Sequence, residues 1–308
     1  MSGDAALAAL LANLKAGGYR FITPTPATHA RVIARRREAR DLRDVFGWSL
    51  PFAAEAVGPE LLALMRQADV LDRRGELFAS RVRVSSLGED LVLHSAYPTT
   101  QHDAVFFGPD SYRFAGFLQA ELPRLGPRAH VVDIGAGAGA GAIAAARVLP
   151  EAHFTLTDIN PDALRLAAVN WAAARLGGAH FAAGDGLAGA PAGDAPPIDC
   201  IIANPPYIAD AAHRAYRDGG SMHGGAVSLA WAQAAAERLP QGGAFLLYTG
   251  SAIVAGEDRL RAALEDALRE FDVRYRELDP DVFGEELERP DYAEVERIAV
   301  VVVAAVKR

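Results

Sequence analysis

With 308 residues, 51% of them hydrophobic and 23% charged, the chain has the composition of a globular protein and the length of two domains. A single cysteine, Cys200, excludes an internal disulfide framework and a cysteine-built zinc site, and no run approaches the roughly 18 apolar residues of a membrane span. A formal charge of −8 argues against the broad cationic surface that supplies most non-specific nucleic-acid affinity.

Alanines and leucines occupy residues 5 to 14 with no basic stretch before them, so the segment does not read as a signal peptide and a cytoplasmic protein is expected. Residues 1 to 50 carry eight Lys or Arg against four Asp or Glu, concentrated in Arg31, Arg35, Arg36, Arg37, Arg40 and Arg43. This run is either a solvated helix face or a footprint for an acidic partner, nucleic acid included. Leu7, Leu10, Leu11 and Leu14, and later Leu61, Leu62, Leu64 and Met65, recur at helical spacing, interrupted by Pro24, Pro26 and Pro51. The first 90 residues therefore read as helical in pieces. Arg81 to Ser85 alternate with valine, Gly88 marks a turn and Leu91-Val92-Leu93 follows, which predicts a β-hairpin over 80–97. Residues 1–100 form the expected N-terminal domain, assigned to substrate recognition, and 101–308 the second domain.

From residue 129 apolar strands alternate with alanine-rich helices, the pattern of a doubly wound parallel sheet. Strands are predicted at 130–134, 153–158, 179–182, 198–203, 243–249, 272–278 and 297–306. Only the acidic stretch 279–296 separates the last two, too little for a crossover helix, so they should pair antiparallel. Between 281 and 297 seven acids face Arg289 and Arg297.

The first of these strands, Val131-Val132-Asp133-Ile134, runs into Gly135-Ala136-Gly137-Ala138-Gly139-Ala140, a turn whose backbone can approach a ligand closely. The same spacing also fits a dinucleotide site. The second strand ends at Thr157-Asp158-Ile159-Asn160, where Asp158 is placed to accept hydrogen bonds from a ribose diol and Asn160-Pro161 reads as a helix cap. Gly184-Asp185-Gly186 follows the third strand, placing a carboxylate near an adenine amino group or simply making a turn.

The fourth strand separates the readings, because it ends in Asn204-Pro205-Pro206-Tyr207. Two prolines stiffen the loop and remove two N–H donors, leaving the Pro205 carbonyl beside the Asn204 side-chain carbonyl. An NH₂ group held by two acceptors has its lone pair aimed out of the hydrogen-bonding plane, and Tyr207 can stack on a flat substrate. Methyl transfer from S-adenosylmethionine (SAM) to such a nitrogen, leaving S-adenosylhomocysteine, demands neither metal nor strong base.

On these residues the chain resembles class I SAM-dependent methyltransferases of the HemK/PrmC-like group, which methylate the glutamine of the GGQ tripeptide in peptide-chain release factors. The resemblance covers about 105–250 and implies a Rossmann-like seven-stranded sheet with its last strand antiparallel. It assigns Asp133, Gly135, Ala136, Gly137, Gly139, Asp158, Ile159, Asp185, Gly186 and Asn204 to the cofactor. Asn204, Pro205, Pro206 and Tyr207 fall on the reacting motif. Val105 to Asp110 resembles the segment lining that group's acceptor pocket, so Phe107, Pro109, Tyr112 and Arg113 are substrate candidates, the last two equally the start of an amphipathic helix. A protein glutamine is the leading acceptor. An adenine or guanine amino group of RNA or DNA, reached through Arg31 to Arg43, a small molecule, and a non-catalytic SAM-binding scaffold are the alternatives.

Overall fold

A computed structural model describes residues 2–191, 197–210, 214 and 216–308. Ser2 caps α1 (Gly3–Ala16) by accepting from Ala5 N–H at 3.3 Å, and the helix buries Leu7, Leu10, Leu11 and Leu14 on one stripe. After α2 (Pro26–Ile33) and the short α3 (Leu42–Phe46) comes α4 (Gly58–Gln67), against which α1 packs. The arginine run therefore lies on no single helix face: it starts in α2, crosses a turn and ends in α3. There Arg36 pairs with the buried Asp44 at 2.5 Å and lies over the Trp48 ring.

Two hairpins follow. β3 (Val82–Leu87) and β4 (Asp90–Ser95) form the predicted one. Before it, β1 (Leu71–Arg74) and β2 (Leu77–Ser80) pair around Gly75 at φ +66°, where a helical reading had been expected. Four-residue strands are too short for alternation to register, and Gly75 was their only turn signal.

α5 (Pro109–Glu121) leads into the main sheet. Its strands and helices are β5 (His130–Ile134), α6 (Ala140–Ala146), β6 (His153–Asp158), α7 (Pro161–Ala173), β7 (Ala179–Ala183), β8 (Cys200–Ala203), α8 (Ala226–Arg238), β9 (Ala244–Val254), β10 (Glu257–Asp258), α9 (Arg259–Ala267), β11 (Phe271–Asp279) and β12 (Arg297–Lys307). The order is β11-β12-β9-β8-β5-β6-β7, with β12 antiparallel to both its neighbours and the two-residue β10 added beside β9. This is the class I methyltransferase Rossmann-like sheet. β5 and β8 are buried along their whole length, which explains their unbroken apolar runs: helices cover both faces.

One hydrophobic cluster runs from Leu7 and Met65 through Val92 and Phe107 to Val131 and Leu156, so the N-terminal region shares its core with the sheet. Arg147 joins the two with a two-pronged bond to the buried Asp90 at 2.8 and 2.9 Å. Among the described residues no helix is long and apolar enough to cross a membrane.

Candidate active site

Strand order reverses at β5, whose neighbours are β6 on one side and β8 on the other, so the loops leaving β5 and β8 diverge over a crevice. Register sets what meets there. Ile134 pairs with Thr157 and with Ala203, which brings Gly135, Asp158 and Asn204 out of the sheet side by side.

Gly135 has φ +66°, and a Cβ on it would come within 2.4 Å of the Trp231 ring from α8. Gly137 has φ +54° with open space where a side chain would project. These two glycines keep the loop flat against a cavity of about 400 Å³, bounded also by Asp133, Asp158, Ile159, Asp185, Gly186 and Asn204. Gly139, also assigned to the cofactor from the sequence, stands apart from these two. At φ +79° it opens α6, its missing side chain makes room for Ala167 and Leu156, and it lies outside the cavity lining.

Asp158 is held by the turn it faces. Its Oδ2 accepts from Gly137 N–H at 2.8 Å and its Oδ1 from Asn160 N–H at 2.9 Å, which fixes the orientation of both oxygens. Burial raises its pKa, against the pull of these N–H groups. Asp133 lies beneath the loop and accepts from Ala142 N–H at 2.9 Å; burial pushes its carboxyl up to about 7, with Asp158 adding to the rise. Asp185 is exposed on the wall, and Ile159, 57% exposed, adds apolar surface to the cavity lining.

On the far side of Asn204 lies a second cavity of about 370 Å³. Asn204, Pro206, Phe106 and Tyr216 line both spaces and so form their common wall. Among the described residues none hydrogen-bonds to the Asn204 side-chain amide. Pro205, Tyr207, Pro109 and Arg113 line the second cavity, as do Thr25, Pro26 and Ala27 from the start of α2. Tyr207 is only 8% exposed, its ring seated where a Cβ on Gly250 would stand, so little of the expected stacking face is open.

Phe107 and Tyr112 lie outside the lining of both cavities. Phe107 is fully buried, stacked on His94, and Tyr112 accepts from Thr23 N–H at 3.1 Å. Phe106, one residue earlier, is the side chain of this segment that lines both cavities. Arg113 bonds Asp110 at 3.2 Å and Asp279 at 3.0 Å, and Asp110 also accepts from the Tyr248 hydroxyl at 2.7 Å.

The acidic segment after β11 is docked beside this cavity. Val282 N–H donates to Ile298 O at 2.8 Å, and the buried Glu286 pairs with Arg217 and with Arg289. The Tyr292 hydroxyl accepts from Ala209 N–H at 2.8 Å and donates to His223 O at 3.3 Å, tying the segment to the chain just beyond Tyr207. Asp110, Asp279, Asp281 and Glu285 face the second cavity, whose two guanidiniums, Arg113 and Arg217, are both ion-paired.

Residues 102–273 match the model of the methyltransferase small domain, more than half of the chain. The chain belongs to that family. Curated relatives include the ribosomal RNA large subunit methyltransferase G proteins of Streptomyces avermitilis, 34% identical over 113 residues, and of Pseudomonas putida, 44% identical over 88 residues. These alignments cover 37% and 28% of this chain, and 29% and 22% of the relatives. The release factor glutamine methyltransferase of Deinococcus radiodurans is 30% identical over 189 residues, 60% of this chain and 61% of that protein. The chain thus spans less than a third of the first two and about three fifths of the third.

Residues 102–273 thus form a methyltransferase small domain, and the first cavity suits a SAM cofactor by its own chemistry. Asp158 and Asp185 complement a cationic ligand with a ribose diol, Asp133 adds a buried carboxyl beneath the turn, and the flat glycine turn and Ile159 leave room for an extended molecule. Sequence reasoning missed Trp231, Phe106, Tyr216 and Phe283. Phe106 and Phe283 lay in segments already singled out, the one before the core and the acidic one, whereas Trp231 sits in an alanine-rich helix with no motif to mark it.

Proposed function

We propose that this enzyme methylates a planar amide or amino nitrogen carried by a protein, with a glutamine side chain as the leading acceptor, as in the HemK/PrmC-like group. The observation that supports the reading is the Asn204 amide, free of protein partners among the described residues and standing on the wall shared by the two cavities. SAM, when bound, supplies a methyl group activated by its sulfonium sulfur. Asp158 accepts from the ribose hydroxyls, Asp185 from the adenine amino group, and Ile159 covers the adenine face. Asp133 and the Gly135–Gly137 turn hold the amino-acid end. Asn204 Oδ1 and the Pro205 carbonyl accept the two N–H bonds of the acceptor, so that its lone pair points through the shared wall toward the cofactor, and Pro205 and Pro206 keep those acceptors rigid.

A protein carrier is favoured over a polynucleotide because four carboxylates face the acceptor cavity and its arginines are already paired, an environment hostile to phosphate. The N-terminal region, residues 1–100, contributes Thr25 to Ala27 to that cavity, which supports its assignment to acceptor recognition. Such an acceptor belongs to the protein-synthesis machinery and places the enzyme in the cytoplasm. A nucleobase amino group is the second reading, favoured by the 44% identity over 88 residues with a ribosomal RNA methyltransferase and served by Arg31 to Arg43. Radiolabelled methyl transfer from SAM into an extract of cells lacking this protein, followed by separate protease and nuclease digestion, tests the choice. Label released by protease alone is expected; label lost only to nuclease transfers the assignment to the nucleobase.

A further inference from the structure

The acidic segment carries one residue that neither its charge nor its ion pairs explain. Phe283 has φ +56° and ψ +39°, the left-handed region that a bulky side chain adopts only when its surroundings compel it. The surroundings here do compel it. Val282 N–H is bonded to Ile298 O, Phe283 O accepts from Glu286 N–H at 2.8 Å, and Glu286 is clamped by Arg217 and Arg289. The result is that Phe283 lines the second cavity, its ring 5.9 Å from that of Tyr207 at an interplanar angle of 64°. The same cavity is bounded by a second aromatic pair, Phe106 and Tyr216, whose rings lie 6.1 Å apart and nearly parallel at 7°.

Resting on the reading of Asn204 as the acceptor site, we infer that Phe283 selects the acceptor by shape. Its strained backbone holds a ring over the Asn204–Tyr207 turn, so that the cavity is a slot between aromatic walls. A flat nitrogen-bearing group enters it with the face turned away from the cofactor covered by aromatic surface and the other face left open to the methyl donor, whereas a tetrahedral amine does not fill it. This also accounts for the burial of Tyr207: the contact expected from its ring is made by Phe283, which Tyr207 supports from below.

The test measures labelled methyl transfer from SAM into the extract of cells lacking the protein, with the extract titrated. Phe283→Leu should raise the half-saturating extract concentration roughly tenfold, with the saturating rate within about threefold of wild type and SAM affinity unchanged. Phe283→Gly, whose backbone takes the left-handed conformation without strain, should do the same, which separates recognition from failure to fold. Phe283→Tyr should restore the wild-type value. An unchanged half-saturation in Phe283→Leu overturns the inference, as does a parallel loss of saturating rate, SAM affinity and melting temperature. Incorporation abolished by Asn204→Ala but indifferent to Phe283→Leu overturns the slot alone. Nuclease-sensitive label with raised half-saturation supports the slot and removes the protein carrier.

Discussion

The side-chain amide of Asn170 donates to the carbonyl oxygen of Ala138 at 2.9 Å, joining the middle of α7 to the glycine turn of the cofactor cavity. The same fully buried amide accepts from Leu93 N–H at 2.8 Å and donates to Leu93 O at 3.0 Å, closing the edge of the N-terminal hairpin. One side chain thus satisfies three buried backbone groups from two parts of the chain. Asn170→Ala strands all three and should cost about 2 to 4 kcal/mol in urea unfolding, with SAM affinity falling as the turn loosens. A cost below about 0.5 kcal/mol would show that water replaces the amide.

Asn204→Ala removes a preorganised acceptor from the reacting centre and, among the described residues, no hydrogen bond of the protein's own. Turnover should fall about a hundredfold or more while the SAM dissociation constant and the melting temperature stay near wild type. Near-normal turnover would sink the proposed chemistry.

Asp158→Ala should weaken SAM binding by roughly 1.5 to 3 kcal/mol in calorimetry. Because Asp158 also anchors Gly137 and Asn160 N–H, the unliganded variant should unfold at a lower temperature as well. Asp158→Asn, which keeps one acceptor oxygen, should fall between the two. An unchanged dissociation constant in both variants would mean the ribose lies elsewhere.

Asp133 makes stability depend on pH in the sense opposite to most carboxylates. Its folded pKa is about 7 while the unfolded chain titrates near the ordinary value of about 4, so between these the folded state keeps a proton the unfolded state has lost. Stability therefore falls as pH rises through that window. Asp133→Asn keeps an acceptor for Ala142 N–H and abolishes the titration. Its unliganded form should melt on the order of 5 °C above wild type at pH 8, with the gap closing steadily towards pH 4. A gap that does not change with pH would assign the effect to packing.

The central strands were legible because β5 and β8 are apolar runs ended by Gly135 and Asn204, which fell on the glycine and reacting motifs, whereas β11 shows instead the alternation of a half-exposed strand. What escaped has physical reasons. Thr25 to Ala27 reach the acceptor cavity from about 180 residues away in sequence, which no local pattern records. Phe106 and Phe107 differ by one position on an irregular segment, where neither a period of 2 nor of 3.6 decides which faces inward. Glu286 entered the sequence reading only as one of seven acids, and its burial to 6% exposure was not legible because its two arginine partners come from different segments, one of them 69 residues distant.

The position of β12 has a consequence for how the chain is made. Since β12 lies between β9 and β11, β9 has only its β8 and β10 partners and β11 has no sheet partner until residues beyond 296 leave the ribosome. A nascent chain paused there displays the eleven-residue backbone edge of β9, which is uncharged and apolar in its first half, together with an orphaned β11. A premature stop before Arg297 would therefore not trim the sheet by one strand but detach two, leaving a cofactor cavity whose residues are all synthesised on a sheet that cannot close.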